Sequence, residues 1–451
     1  MHRNDYAQWF RDSTPYISMH RGRTFVVLLE GEALAHPNLT NIVHDLALVH
    51  VLGARLVLVH GGRPQLDAAL GADGSTFHES RRITHPAQLS ALLGVLGELR
   101  ARLEALFSTG LPTSPLRETN ISVVSGNFVT ARPVGIVDGV DHGLTGRVRR
   151  VDGGALRAIL KAGGIGLLSP LGYSPSGQVF NLEASELATD VALSLAADKL
   201  IVFTEDGALV DEAGDRISLM SPAELHQHPA SSSRRAASVL RAARSGIPSC
   251  QLVSWAEDGA LIHELYTAGG SGTQIRDVEG SLVRPATAAD VSSIVEVIRP
   301  LEEAGVLVRR DRDRLEAEID HFLVADIDNN VVGCCAVYGF GAMAELACVA
   351  VHDSYRDGSP TFLNGIRSGS RRAARVGSSL LAAAEARARR DGAEALFVLT
   401  TQTRDWFLDH GFEAADTSAL PGPKQAMYNY QRNASIMIKT LTREKAGQIA
   451  G

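Results

Sequence analysis

Ala344-Glu345-Leu346-Ala347-Cys348-Val349-Ala350-Val351, then Arg371-Arg372-Ala373-Ala374-Arg375-Val376-Gly377, then Ser378-Ser379-Leu380-Leu381-Ala382-Ala383-Ala384-Glu385-Ala386-Arg387 decide how the second half of the chain folds. The first run is apolar and of strand length, and the last consists of strong helix formers. The middle run reads as a basic, glycine-containing loop. Glycine lets a backbone approach a ligand closely, and the first-turn N–H groups of the following helix attract anions with the helix dipole behind them. Arginines beside such a turn add charge-assisted contacts to phosphate oxygens. The pattern suits a pyrophosphate, although a basic loop before a helix is also a common solvated feature.

Working outward, 451 residues exceed the length at which one core stops growing, so two or three domains are expected. Hydrophobic residues make up 45% and charged residues 21%, which is ample for more than one core. The net charge of −7 argues against a general nucleic-acid or membrane-surface binder, so any anion site must be local. Cys250, Cys334, Cys335 and Cys348 form neither a disulfide framework nor a metal-ligand pattern; no metal is expected, and a reducing cytoplasm is the simplest home. The polar start, Met1-His2-Arg3-Asn4-Asp5, lacks the apolar core of a signal peptide. No run reaches membrane-spanning length, so neither export nor anchoring is expected.

Residues 4–20 carry Tyr6, Trp9, Phe10, Tyr16 and Ile17 at amphipathic spacing, an arm helix interrupted near Pro15. From Thr24, strand (Phe25 to Leu29), helix (Leu39 to Leu52), strand (Arg55 to Val59), glycine turn and helix alternate as in a parallel sheet sandwiched by helices. Further strands are predicted at Ile121 to Val124, Gly166 to Leu168 and Leu200 to Phe203, and a helix at Ala184 to Ala197. The expected division is an arm over 1–20, a large α/β domain over 21–276, a linker over 277–286 and a smaller α+β domain over 287–445. In the last, Thr287-Ala288-Ala289-Asp290 resembles a capping box before a helix from Val291, and a second helix is predicted from Arg312 to Phe322.

Thr287 to Leu441 resembles the GNAT class of acetyltransferases, in element order, in the strand-loop-helix above and in the Trp406-Phe407-Leu408-Asp409-His410-Gly411-Phe412 ending. Nearly end to end, the chain resembles the bacterial two-domain N-acetylglutamate synthase family. The resemblance is carried by Pro15-Tyr16-Ile17 and His20-Arg21-Gly22, Val123-Val124-Ser125-Gly126-Asn127-Phe128, Gly272-Thr273-Gln274-Ile275, Gly305-Val306-Leu307-Val308-Arg309-Arg310 and Tyr428-Asn429-Tyr430-Gln431-Arg432. It implies an amino-acid-kinase-like domain followed by a GNAT-fold domain, acetyl transfer from acetyl-coenzyme A to the α-amino group of L-glutamate, and feedback inhibition by arginine. It also implies that Cys348, Val349 and Val351 offer main chain to the cofactor, with Arg375, Val376 and Gly377 at the pyrophosphate.

A substrate ammonium must lose a proton before it can attack a thioester, which calls for a carboxylate base. Glu345 is the candidate; an exposed strand-end carboxylate is the plainer reading. Two substrate carboxylates call for planar bidentate donors, and Arg309, Arg432 and the adjacent Asn433 match the family's positions, with Arg310 read as a solvated neighbour. Thr400 falls where the family has a hydroxyl near the departing sulfur. Two departures stand out: an insertion of about a dozen residues before Arg371, and Ala434 where the family places serine, with Ser435 a substitute only on a register slip.

The first half resembles the amino-acid kinase fold, with Leu28 where such kinases carry a lysine. Phosphoryl transfer needs positive charge that leucine cannot supply, so a scaffold without kinase chemistry is expected. The resemblance puts the arginine site at Tyr16, Lys199, Glu264 and Gly272, although a helical glutamate such as Glu264 is more often solvated. It also implies a homo-oligomer larger than a dimer, a hexamer among the options. The alternatives are acetylglutamate kinase and a non-catalytic arginine-sensing protein.

Overall fold

A computed structural model describes residues 13–14, 16–71, 74–108, 121–212, 214–267, 270–276, 283–327, 330–352, 371–426 and 434–441. The chain divides into two compact units, Met1–Val278 and Glu279–Gly451.

In the first unit an eight-stranded sheet has the order Leu219–Met220, Thr273–Ile275, Ser249–Ser254, Lys199–Thr204, Thr24–Leu29, Arg55–His60, Ile165–Leu168, Val123–Ser125. Its central strands pair in parallel and are buried on both faces, which is why they read as continuous apolar runs. One core packs Val26, Leu28, Val57 and Val59 against the helix Ala184–Leu195. The other packs Phe25, Val27 and Leu29 against the helices Leu39–Val51 and Leu89–Ser108. Leu28, fully buried, pairs with Val59 and Val202. The helix from Ala184 stops at Leu195 because Ala196 turns left-handed at φ 50°, two residues short of the predicted end. A separate four-stranded sheet, Val179–Asn181, Leu171–Tyr173, Val129–Pro133 and Gly146–Val151, was not legible in the sequence: its strands are too short and too mixed to show a period.

The second unit is a seven-stranded sheet in the order Val283–Pro285, Phe322–Ile327, Asn330–Phe340, Met343–Val351, Ala395–Thr400, Ser435–Thr440, Glu413–Ala415. Helix Val291–Glu303 lies against one side of its core and Arg371–Arg390 packs on the same central strands. Three readings need correction. Val283–Pro285, expected in a linker, is an edge strand paired with Leu323–Ala325. The single helix predicted from Arg312 to Phe322 is a short helix, Arg312–Ala317, then a 3-10 turn, Ile319–His321, with Phe322 already in a strand. The basic loop Arg371–Gly377 is instead the first two turns of the helix Arg371–Arg390, because two Arg-Arg/Ala-Ala pairs favour helix more than one glycine opposes it.

Candidate active site

Strands Met343–Val351 and Ala395–Thr400 run parallel but pair only through Met343, Ala344 and Glu345, opposite Ala395, Leu396 and Phe397. Beyond Glu345 the second strand turns its register entirely to Ser435–Thr440, and the sheet opens. On the near lip, the pairing with Asn330–Phe340 slips between Cys334↔Ala350 and Ala336↔Ala347, so Cys348 and Val349 together face Cys335. This is a bulge, and Cys348 takes φ 51°, a left-handed conformation costly for a residue with a Cβ. A bulge redirects the local N–H groups, here inside a gap with no paired strand on that side. The side chain of Cys348 is only 5% exposed and lies in the core, so the position contributes main chain to the gap. The hydrogen bond with Cys348 and burial push the Cys334 thiol up, and burial pushes Cys335 up to about 12, so neither is a ready nucleophile.

Glu345 sits at the apex of the split and is 6% exposed, not the solvated strand end of the plainer reading. Its Oε2 pairs at 2.6 Å with Nζ of Lys424, on the short helix Gly422–Ala426; that ammonium also lies 5.6 Å from the Phe340 ring centre. Thr400 ends the far lip, with its hydroxyl 2.8 Å from that of Thr403 and accepting from the Thr403 N–H at 3.1 Å. Ser435 is the direct strand partner of Thr400, next to Ala434.

Tyr338, opposite Glu345 in the strand pair, donates to Glu318 at 2.6 Å. Burial would raise the Glu318 carboxyl, but the hydrogen bonds from Tyr338 and Arg314 hold it below its usual range. Beside this pair, Arg309 is exposed, whereas Arg310 is half-buried. The Arg310 main chain donates to Glu302 at 2.8 Å, and its buried Nε has no hydrogen-bond partner among the described residues. An unsatisfied buried guanidinium nitrogen is costly unless a ligand supplies the acceptor. Arg310, expected as a solvated neighbour, is thus the less exposed of the two, a difference that the Arg-Arg doublet itself does not reveal.

Arg375, Val376 and Gly377 lie in the second turn of their helix. Val376 is fully buried, and a Cβ at Gly377 would stand 3.2 Å from the Trp406 indole, so the glycine admits a close packing partner. Val351 pairs with Gly333 at the strand end. Arg432, Asn433 and the insertion before Arg371 lie outside the described residues.

In the first unit, Glu264 and Gly272 come together: the buried Glu264 carboxylate accepts from the Ser271 and Gly272 N–H groups, both at 2.9 Å. It is a loop clasp, not a solvated helix residue. A Cβ at Gly272 would fall 1.8 Å from the Leu252 carbonyl oxygen. Lys199 is buried at the head of its strand, and Tyr16 is half-buried against the core that Leu265 and Tyr266 share. A cleft of about 330 Å³ elsewhere in this unit is lined by His78, Arg81, His142, Arg147, Glu183 and Arg234 among others; Arg234 pairs with Glu183 at 2.5 Å and Arg81 with Glu186. No group of three metal-ligating side chains occurs among the described residues, and no helix among them is long and apolar enough to cross a membrane.

A kinase-type parallel sheet, followed by a sheet split beside a bulged strand and a buried carboxylate, defines an acetyltransferase of the GNAT class on a kinase-fold scaffold. Comparisons with known proteins agree. Residues 23–252 match the amino acid kinase family. The amino-acid acetyltransferase of Ectopseudomonas mendocina is 44% identical over 447 residues, covering 97% of this chain and all of the relative, and that of Azotobacter vinelandii is 43% identical over 449. Among solved structures, N-acetylglutamate synthase from Neisseria gonorrhoeae with coenzyme A and L-arginine is 33% identical with a TM-score of 0.81, covering 97% of this chain and 100% of that one. The chain belongs to the bacterial amino-acid acetyltransferases of the two-domain N-acetylglutamate synthase type.

Proposed function

We propose that the chain transfers the acetyl group of acetyl-coenzyme A to the α-amino group of L-glutamate, the first step toward arginine, in the cytoplasm and under feedback inhibition by arginine. The observation that carries this reading is the strand split that opens directly after the buried carboxylate of Glu345. The Neisseria protein was crystallised with coenzyme A and L-arginine, and also with coenzyme A and N-acetyl-glutamate, which supports donor, product and effector alike.

In this reading the main chain at Cys348, Val349 and Val351 holds the donor and polarises its carbonyl, an oxyanion device that needs no side chain. Arg375, Val376 and Gly377 belong to the helix whose start faces the pyrophosphate. Glu345 takes a proton from the substrate ammonium, and Thr400 serves the departing sulfur, with Ser435 beside it. Transfer is direct, without a covalent enzyme intermediate. Arg310 joins Arg309, Arg432 and Asn433 as a holder of substrate carboxylates, because its buried Nε lacks an acceptor. Arginine binds at Lys199, Glu264 and Gly272 of a regulatory domain over 21–276 together with Tyr16 of the preceding arm over 1–20, and the catalytic domain that follows, placed at 287–445 from the sequence, also takes in the edge strand Val283–Pro285. The protein works as a homo-oligomer.

The kinase alternative is disfavoured by Leu28, an apolar side chain in the core where phosphoryl transfer would need a cation. A thiol-release assay with acetyl-coenzyme A and a panel of amino acids, repeated with arginine, tests the proposal. Glutamate should give the highest rate and arginine should depress it. Release that is indifferent to glutamate would remove the substrate assignment.

A further inference from the structure

Glu345 and Lys424 are far apart in sequence and belong to different elements, a central strand and a five-residue helix, yet their charged atoms meet at 2.6 Å. Among the described residues Lys424 is the ion-pair partner of this carboxylate. Phe397 flanks Glu345 from one strand, while Tyr338 lies opposite on the other and is committed to Glu318. The Lys424 side chain is 23% exposed, so its ammonium is partly shielded but not sealed in the core.

If Glu345 accepts the proton of a substrate amine, that amine must come within hydrogen-bond reach of the carboxylate. Lys424 Nζ already occupies such a position. We infer that Lys424 is a self-acetylation site: without an amino-acid substrate, its amine takes the acceptor's place and receives the acetyl group of the bound thioester. The step balances without any other reagent. Glu345 takes one proton from the Lys424 ammonium, the freed nitrogen forms the new N–C bond to the acetyl carbonyl carbon, the C–S bond breaks, and the second proton shed by that nitrogen passes to the departing thiolate. The product is a neutral amide that no longer pairs with Glu345, which passes its proton to solvent and is then free as a carboxylate for an incoming ammonium. This inference rests on the reading of Glu345 as base.

The test is to incubate the full-length protein with acetyl-coenzyme A and no amino acid, then to map acetylated lysines by mass spectrometry, with exposed Lys161 as the internal reference for uncatalysed labelling. Lys424 should be labelled at least tenfold faster than Lys161. Excess L-glutamate should suppress that label several-fold, and Glu345→Gln should reduce it to the Lys161 rate, while Lys424→Arg should show no label at the position. If Lys424 is labelled no faster than Lys161 in a preparation that acetylates glutamate, the inference falls and the reading of Glu345 stands. Equal Lys424 labelling in Glu345→Gln and wild type overturns the inference too. If Glu345→Gln acetylates glutamate at the wild-type rate, the base assignment fails and the inference falls with it.

Discussion

Replacing Glu345 by Gln keeps the shape of the apex but removes the proposed proton acceptor, so turnover should fall by about 10²–10⁴-fold while coenzyme A binding, assigned in the proposal to main chain beyond the apex, stays nearly constant. Steady-state rates beside a calorimetric titration with coenzyme A check this; an undiminished rate would exclude Glu345 as base. Arg310→Ala and Arg309→Ala should each raise the KM for glutamate several-fold, the half-buried Arg310 more than the exposed Arg309, and leave that for acetyl-coenzyme A within about twofold. Glu345 could be chosen from the sequence because a carboxylate opening an apolar run is unusual. Its partner Lys424 could not, since a contact bridging that much chain leaves no local periodicity. The different burial of Arg309 and Arg310 could not be read either, because neighbouring residues in an irregular segment carry the same chemistry.

At the level of elements, the entry to helix Val291–Glu303 is tied down by Asp290. Its carboxylate accepts from the Thr287 N–H and hydroxyl at 2.8 Å and from both terminal nitrogens of Arg284 at 2.8 Å, while Arg284 also reaches Asp326. Asp290→Ala leaves these donors without their shared acceptor and should cost about 2–3 kcal/mol, read as a lower urea midpoint for the second unit's transition. The capping-box signature in Thr287 to Asp290 made this start visible in advance. The start at Arg371 was not visible, because Gly377 looked like a turn when its role is to let the Trp406 ring approach. The long buried strands were equally plain from their unbroken apolar runs. Short strands such as Leu171–Tyr173 and Glu413–Ala415 offered too few residues to show a period.

For the molecule as a whole, a buried histidine and a half-buried aspartate in the first unit set opposing responses to pH. Burial lowers His60 to about 4, with Arg100 assisting and the Gly61 hydrogen bond opposing; unfolded, it would titrate near 6.5. Between those values the unfolded chain binds more protons, so this group makes stability rise with pH and is fully favourable only above about 6.5. Burial, with help from Asp258, raises Asp45 from 3.8 to about 7, so the folded state binds the extra proton and stability falls as pH climbs through that window. The two slopes nearly cancel from about pH 4 to 6.5. Asp45→Asn should unmask the histidine, giving a urea midpoint that climbs steadily over that interval and then levels, at up to about 1.4 kcal/mol per pH unit; a profile parallel to wild type would refute the compensation. A last consequence concerns descent. Because the two-for-one mismatch at Cys348 and Val349 serves, in the proposed reading, through amides that nearly every residue type possesses, what restricts change there over generations is the core packing and left-handed turn of Cys348 rather than any side-chain chemistry. A proline, or a one-codon deletion restoring even pairing, would be the inherited lesion to look for.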